Sequence, residues 1–527
     1  MRIDKVHIKS RFKNLEDFKI DIDEKAMETV LLGLNATGKS NFLEALVIIF
    51  RDLDLVFNYK KKQAPPFDFL IQYECRANII EVTFENGKYS FNVNGKESKA
   101  EVTKNIDQYL PKHVFIYYSG ISDRLQGLYI PHQKFYYEQI ILPGAKLEHF
   151  DSIRRIFLVQ NIHASFALIA FYMFQDQSSE TLQFLKEELN IVDFGSALFM
   201  LKEPEWARNR KNKDHFWGAK GLVRKFLDDL LMYSYAPIEH KARVDVSYKK
   251  SETQNRIYLY IKDRKTFQDL VDKKYSNKIE LFNALESIHI SDLLHDVKIR
   301  VSKENVDGEL SMSELSEGEK QLLTVLGLLK FTKDDESLIL LDEPDTHLNP
   351  VWKWKYLDYL DKVVSRQENT QIIFCSHDPL VIGNLKKNQV QIFKKTSQGN
   401  TEAVNPFVSP REMSVSKILT SELFGIPSLM SKKLEDLLNT KRHLQAKLAK
   451  GELEESDRVK FERLKKYFDQ IGFNDETIDT RYNKYLQLTS ERGEFTNRKY
   501  SKEEEIELDR IAKEVLDEIQ KEEADEA

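Results

Sequence analysis

Gly33-Leu34-Asn35-Ala36-Thr37-Gly38-Lys39-Ser40 is the segment from which the rest of the chain can be read. It matches GxxxxGK[ST] in full. The apolar run Thr29 to Leu32 precedes it and a second, from Asn41 to Phe50, follows it. The spacing predicts a buried strand, a glycine-bearing loop and an apolar helix, the context in which this pattern cradles phosphate. Gly33 and Gly38 let the backbone turn its N–H groups onto an anion without Cβ clashes. A helix starting near Lys39 aims its positive dipole end at the same place. Lys39 neutralises β- and γ-phosphate charge, and Ser40 can ligate Mg²⁺. A chance glycine-rich turn is the competing explanation. With glycine near ~7% of residues, such a match arises by accident only about a few times in a hundred in a chain this long.

Three further segments extend the site. Ser337 to Leu341 is an apolar run followed by Asp342-Glu343-Pro344. A buried parallel strand delivers residues at its C-terminal end to a ligand crevice. That places Asp342 to hold Mg²⁺ through water and Glu343 to orient or deprotonate an attacking water. An acidic end to an apolar run is common by itself; the phosphate loop gives it meaning. Leu315-Ser316-Glu317-Gly318-Glu319-Lys320-Gln321 opens an apolar helix. Ser316 and Glu319 form S-x-x-E, an ordinary capping box, and any helix can start this way. Gln371 to Cys375 predicts another buried strand, ending in Ser376-His377-Asp378. A lone histidine is more often structural, but this one closes a strand of the same sheet, within reach of a γ-phosphate.

With these four elements in place, the chain resembles the RecF/SMC-like ABC ATPases, which include the overcoming-lysogenization proteins. GLNATGKSNFLEAL is similar to their GxNGxGKSNxLEAI, with Ala36 where glycine is usual. LSEGEKQLL resembles their LSxGE/Q helix, LDEPDTHLNP their DEPExxLHP, and SHDP their switch-histidine motif. The resemblance implies an α/β fold: an ABC-type P-loop ATPase head with an antiparallel β subdomain, a helical insertion and a charged helical C-terminal region. It implies ATP and Mg²⁺ as cofactors. Gly33, Asn35, Ala36, Thr37, Gly38, Lys39, Ser40 and Asn41 would then bind nucleotide, and Ser40 and Asp342 would hold the metal. Glu343 would be catalytic and His377 would sense the γ-phosphate. Ser316 and Gly318 would act across an interface, presenting a helix N-terminus to ATP held by a second copy. Two departures stand out. Asn349 occupies the place where transporters carry an aspartate, and no glutamine follows the strand-like run ending at Tyr118. Gln63 and Gln72 are poor substitutes for that ligand.

Within this superfamily the layout is most similar to the PtuA ATPases of Septu-type anti-phage systems, some of which accompany retrons. The likeness covers most of residues 1–410 at motif level; beyond that it rests on Ile418-Leu419-Thr420-Ser421-Glu422-Leu423-Phe424-Gly425-Ile426-Pro427. Such ATPases self-associate into homodimers or higher homo-oligomers and work with an HNH endonuclease. In retrons, a reverse transcriptase and its DNA–RNA hybrid product join them.

The 527 residues suit two or three domains. We expect a phosphate-loop lobe over 1–135, a helical insertion over 136–240, a second ATPase lobe over 241–410, and a charged helical region over 411–527. Period-two alternation predicts paired strands at Ile3–Ile8 and Phe18–Ile22, and Asn86-Gly87 predicts a hairpin between Ile79–Phe84 and Tyr89–Val93. Strands are also expected at Arg243–Tyr248 and Arg256–Ile261, with a last hairpin from Gln389–Phe393 to Glu402–Val404. From Pro143 to Met232 the spacing is helical. At the far end, Leu508, Ile511, Val515 and Ile519 fall on one helical stripe.

A net charge of −6 argues against a uniformly basic nucleic-acid coat. Two cysteines, Cys75 and Cys375, exclude a disulfide framework and a zinc hook. The N-terminus lacks an apolar secretory stretch, and no run is long enough to span a bilayer, so the expected location is cytoplasmic. Residues 206–225 gather Trp206, Arg208, Arg210, Lys211, Lys213, Phe216, Trp217, Lys220, Arg224 and Lys225. They read first as a solvated loop over packed aromatics, with phosphate contact and base stacking as the alternative. No second catalytic constellation is visible, neither a TOPRIM-like acidic cluster nor an HNH pattern; if DNA is cut, a partner cuts it. Three functions fit the motifs: a defence ATPase gating a nuclease, a DNA-repair or recombination ATPase, and a transporter's nucleotide-binding subunit. The last fits poorly, because roughly 275 residues separate Lys39 from Ser316.

Overall fold

The computed structural model describes residues 1–120, 125–145, 154–175, 179–208, 214–247, 250–304, 309–329, 331, 336–363, 369–397, 399–426, 430–449 and 454–470. The chain divides into two compact units, Met1–Pro427 and Ser428–Ala527. In chain order the strands of the first unit are β1 (Arg2–Ile8), β2 (Phe18–Asp21), β3 (Glu28–Gly33), β4 (Phe69–Cys75), β5 (Asn78–Glu85), β6 (Lys88–Val93), β7 (Lys96–Glu97), β8 (His113–Tyr118) and β9 (Ile156–Leu158). They continue with β10 (Ile191–Lys202), β11 (Ile238–Ser247), β12 (Lys250–Ile261), β13 (Leu294–Lys303), β14 (Glu309–Ser311), β15 (Ser337–Asp342), β16 (Thr370–Cys375), β17 (Val390–Lys395) and β18 (Thr401–Val404).

The central sheet runs β18-β17-β3-β16-β15-β8-β9 and is parallel apart from the β17–β18 hairpin. Every residue of β15 (SLILLD) and β16 (TQIIFC) is buried. Sheets covered on both faces need such continuous apolar runs rather than alternation. Successive side chains still point to opposite faces, and they feed two separate cores. Val30, Leu32, Ile339, Leu341, Ile372 and Phe374 enter one, which also holds Phe166, Phe171, Leu322 and Phe199. Leu31, Leu338, Leu340 and Ile373 enter the other, with Phe42, Leu46 and Phe50 of the Lys39–Leu53 helix and with Val6, Ile71 and Val82.

The second core is capped by the antiparallel sheet β2-β1-β4-β5-β6-β7. Here alternation is plain, as in β4 with its strictly alternating buried side chains, because this sheet is covered mainly on one face. The first core is closed by helices, among them Ile162–Met173, buried from His163 to Met173, and by a five-stranded antiparallel sheet, β11-β12-β10-β13-β14.

That last sheet corrects the sequence reading. The span from Pro143 to Met232 was expected to be helical throughout, yet it contains β9 and the twelve-residue β10. β10 sits between β12 and β13 and is displaced by bulges at Ile191/Asp193 and Phe194/Ser196. Its apolar residues therefore lose strict alternation, and the partners that make it a strand, β12 and β13, lie far downstream in the chain. Local spacing carries neither fact.

In the second unit, helices Lys432–Ala449 and Glu455–Gln470 pack through Leu438, Leu444, Phe461, Leu464 and Phe468. The stripe Leu508, Ile511, Val515 and Ile519 lies outside the described residues. No helix among the described residues is long and apolar enough to cross a membrane.

One buried ion cluster ties the edge of the central sheet to the Lys278–Ile290 helix. Arg154 donates to Glu286 at 2.6 Å, His163 lies 2.8 Å from the other carboxylate oxygen, and Arg154 and Glu286 are 5% and 1% exposed. Burial alone pushes the Glu286 carboxyl up, but His163 and Arg154 outweigh it and hold it below the usual carboxylate range. A lowered folded value stabilises the protein above the unfolded carboxylate range, and the gain is lost as pH falls through the folded value. Replacing Glu286 by Ala strands a buried guanidinium, and we expect a loss of about 3–5 kcal/mol in urea unfolding at neutral pH.

Candidate active site

Parallel pairing sets the site. Asp342 is opposite Cys375, Cys375 is opposite Leu31, and Asp342 is opposite Tyr118. The loops leaving β3, β15 and β16 therefore start side by side, and they carry Gly33 to Ser40, Glu343 and His377 respectively. Open parallel sheets bind ligands at this C-terminal edge.

The phosphate loop has the backbone its residue types demand. Gly33 and Gly38 have φ of 141° and 108°, and Ala36, where glycine is usual, takes φ 63°. An added Cβ would lie 2.4 Å from the Phe393 carbonyl oxygen at Gly33 and 2.7 Å from Leu15 Cδ2 at Gly38. Only glycine fits at either place. Gly38 caps the Lys39–Leu53 helix with no side chain bonded to the first turn, which leaves its N–H groups facing the loop's hollow. Lys39 Nζ donates to the carbonyls of Gly33 and Leu34 at 2.7 and 3.2 Å, and Thr37 Oγ1 donates to Leu34 O at 2.8 Å. Burial lowers the Lys39 pKa, while Asp342 and Glu343 pull the other way. A ring of glycine-shaped backbone around a desolvated ammonium fits a triphosphate.

Glu343 follows β15 in a left-handed conformation, φ 54°, a strained state for a non-glycine residue. Its N–H donates to Cys375 O at 3.0 Å, and its carbonyl accepts from Thr346 Oγ1 at 2.8 Å. The carboxylate oxygen Oε1 is 3.4 Å from His377 Nε2, and both side chains are partly exposed. Burial lowers the His377 pKa and the nearby Lys39 charge lowers it further, against the pull of Asp342, so the site favours the neutral imidazole. Asp342 is 5% exposed at the strand end. Ser376 Oγ donates to Asp345 at 2.9 Å, which bolts the His377 loop to the Glu343 loop; burial pushes that buried carboxyl up to about 6.

The Glu317–Leu329 helix starts with the expected capping box. Ser316 N–H and Oγ donate to Glu319 at 2.8 and 3.0 Å, and Glu319 N–H donates back to Ser316 Oγ at 3.2 Å. Ser316 is exposed. Gly318 is buried, and a Cβ there would lie 2.7 Å from His347 O, so the helix start is seated on the loop that follows Glu343. Asn349 caps the Pro350–Trp354 helix through Trp352 N–H at 2.9 Å, a role asparagine fills as well as aspartate.

Sequence reasoning passed over Asn14. It donates to Ala36 O at 2.8 Å and accepts from Asn41 Nδ2 at 2.6 Å, bracing the loop from the antiparallel sheet's side. Thr401 adds a bond to Thr37 O at 3.0 Å. Both residues sit in segments with no motif. After β8, where a glutamine was sought, Ser119 N–H donates to Asp342 O at 3.2 Å and its hydroxyl faces Thr346. Gln63 bonds Asp52 and Gln72 lies within β4, both elsewhere.

The described part of the basic-aromatic segment follows its first reading, with aromatics packed beneath, rather than the base-stacking alternative. Phe216 is fully buried and Trp217 is 5% exposed, so neither can stack on a base. Arg224 is paired with Asp214 and Asp228, and Arg208 with Glu252. Arg210, Lys211 and Lys213 lie outside the described residues.

Residues 1–382 match the AAA ATPase domain family. The chain belongs to that family. It is an ATP-hydrolysing enzyme of mixed α/β fold. It is 23% identical over 455 residues to the "Retron Ec83 probable ATPase" of Escherichia coli, covering 77% of this chain and 75% of that one. A shorter match, 29% over 101 residues, is to the "Septu protein PtuA" of Bacillus mycoides strain KBAB4 and covers 18% of this chain and 13% of the relative. Among solved structures, the SMC head domain from Thermotoga maritima aligns at TM-score 0.33 and 14% identity, covering 77% of this chain and all of the other. The Pyrococcus furiosus Smc head domain bound to the C-terminal domain of ScpA aligns at 0.32 and 14%, with 80% and full coverage.

Removing the ammonium inside this ATPase loop by Lys39→Ala is expected to weaken ATP binding at least about tenfold, roughly 1.4 kcal/mol. Titration with a fluorescent ATP analogue measures it, with unchanged thermal melting as the control.

Proposed function

We propose that this chain is the ATPase of an anti-phage defence system of Septu or retron type. In this reading two copies meet face to face, and each clamps ATP between the phosphate loop of one and the Ser316-capped helix of the other. The observation that carries the defence reading is the similarity to the retron ATPase over 77% of this chain. The exposure of Ser316 supports apposition, as do the apolar side chains left in water around the site: Leu34 on the phosphate loop, 74% exposed, and Val351 and Trp354 just beyond Asn349, 62% and 47%. A second copy seated on this face would take such side chains out of water.

The residues divide the work. Gly33, Asn35, Ala36, Thr37, Gly38, Lys39, Ser40 and Asn41 hold the phosphates. Ser40 and Asp342 suit Mg²⁺, a hard cation that takes one or two protein oxygens and completes its shell with phosphate and water. Bound there, Mg²⁺ supplies charge neutralisation at the β- and γ-phosphates. Glu343 orients the attacking water and takes its proton, and neutral His377 donates to the γ-phosphate. Ser316 and Gly318 of the second copy present a helix N-terminus to the same phosphate. Closure changes the outer surface and hydrolysis resets it, which gives the pair a means to control an HNH endonuclease. A retron setting adds a reverse transcriptase and its DNA–RNA product.

Glu343→Gln keeps the side-chain shape and removes the base. We expect ATP binding within about twofold of wild type, turnover reduced at least about a hundredfold, and stronger ATP-dependent association in sedimentation. Wild-type turnover in that variant would remove Glu343 from the role.

Plaque assays with the neighbouring genes test the pathway. Protection that disappears with Lys39→Ala is the expected result. Loss of DNA-damage resistance without any change in phage titre would favour a repair ATPase instead.

A further inference from the structure

The helix that opens at Ser316 and the loop that carries Glu343 are joined inside one chain by a single buried amide. Gln321 is 4% exposed. Its Oε1 accepts from His347 N–H at 3.0 Å, and its Nε2 faces Glu343 O at 3.5 Å. The Tyr117 hydroxyl of β8 is its third partner. Gln321 stands three residues after Gly318, one helical turn on, and so on the same face. Gly318 brings that face within contact of His347 O, where a methyl group would not fit. The turn from Glu343 to His347 is therefore held at both ends by one side chain, while its first residue sits in a strained left-handed conformation. A strained backbone persists only where its surroundings over-determine it. The remaining bonds on Glu343, from its N–H to Cys375 O and from Thr346 Oγ1 to its carbonyl, fix the residue locally. Gln321 alone of these fixes it relative to the helix.

We infer that Gln321 is a positioning residue for hydrolysis. It holds the Glu343 peptide at the angle that aims the carboxylate into the site, and it does so without touching nucleotide. The inference rests on the reading of Glu343 as the base. Losing the amide frees the 343–347 turn to relax toward ordinary backbone angles, which moves the carboxylate and leaves the phosphate loop intact. A misplacement of about 1 Å at a reacting group is enough for a rate loss near a hundredfold.

The full chain is tested with two substitutions beside Glu343→Gln. Gln321→Met keeps length and volume and removes all three bonds. Gln321→Glu keeps the acceptor for His347 N–H and loses the donor. For Gln321→Met we expect kcat to fall at least tenfold, with KM for ATP and the affinity for a fluorescent ATP analogue within twofold of wild type. Gln321→Glu is expected to recover part of that loss. Should Gln321→Met melt too early to assay, Gln321→Glu carries the comparison, again as a drop in kcat at constant affinity. The inference fails if the folded variants turn over at the wild-type rate, or if affinity and kcat fall together as a general structural defect would make them. With Glu343→Gln inactive, either result removes Gln321 alone. With Glu343→Gln fully active, the base assignment goes and takes the positioning role with it.

Discussion

The structure depends on the in-register parallel pairing of β3, β16 and β15. One backbone ladder brings Leu31, Cys375 and Asp342 abreast, and three loops of different chemistry leave the sheet at the same edge. A phosphate cradle, a carboxylate and an imidazole thereby share a crevice, although more than three hundred residues of chain separate the cradle from the other two. A slip of one residue in either pairing would turn each of these side chains to the other face. The fully buried strands resist that slip, because alternate residues of the same strand feed two separate apolar cores.

The site built on this edge is rigid where it grips phosphate and strained where it does chemistry. Gly33 and Gly38 are pinned by neighbours that leave no room for a methyl group, and Asn14 and Thr401 hold the loop from outside. Glu343, by contrast, stands in a left-handed conformation and is kept there by bonds to Cys375, Thr346 and Gln321. Strain over-determined by surroundings is a common mark of functional positions. The Ser376–Asp345 bond adds the histidine loop to the same assembly. Displacement of any of the three loops is thus felt by the other two.

Ser316 and Gly318 show how one residue type serves two ends. Ser316 closes a capping box with Glu319, which any helix start would welcome, yet it remains exposed at a helix N-terminus. Gly318 sits against His347 O, where packing leaves no room for a methyl group. A sequence pattern that looks purely functional therefore carries a local structural demand as well. Asn349 is a similar case: its departure from aspartate is accounted for by helix capping.

The sequence by itself determined the phosphate loop, the buried strands that end at Asp342 and Cys375, and the alternating strands of the antiparallel sheet. These features are written in neighbouring residues, where glycine freedom, apolar runs and period two act over a few positions. Tertiary structure alone decided the rest. β10 became a strand because β12 and β13 flank it, despite a spacing that reads as helix. Phe216 and Trp217 became core rather than a stacking platform. Asn14 and Thr401 acquired their places at the site through contacts with distant segments. No local pattern marks such residues, since a hydrogen bond across the fold constrains one side chain and leaves its sequence neighbours free.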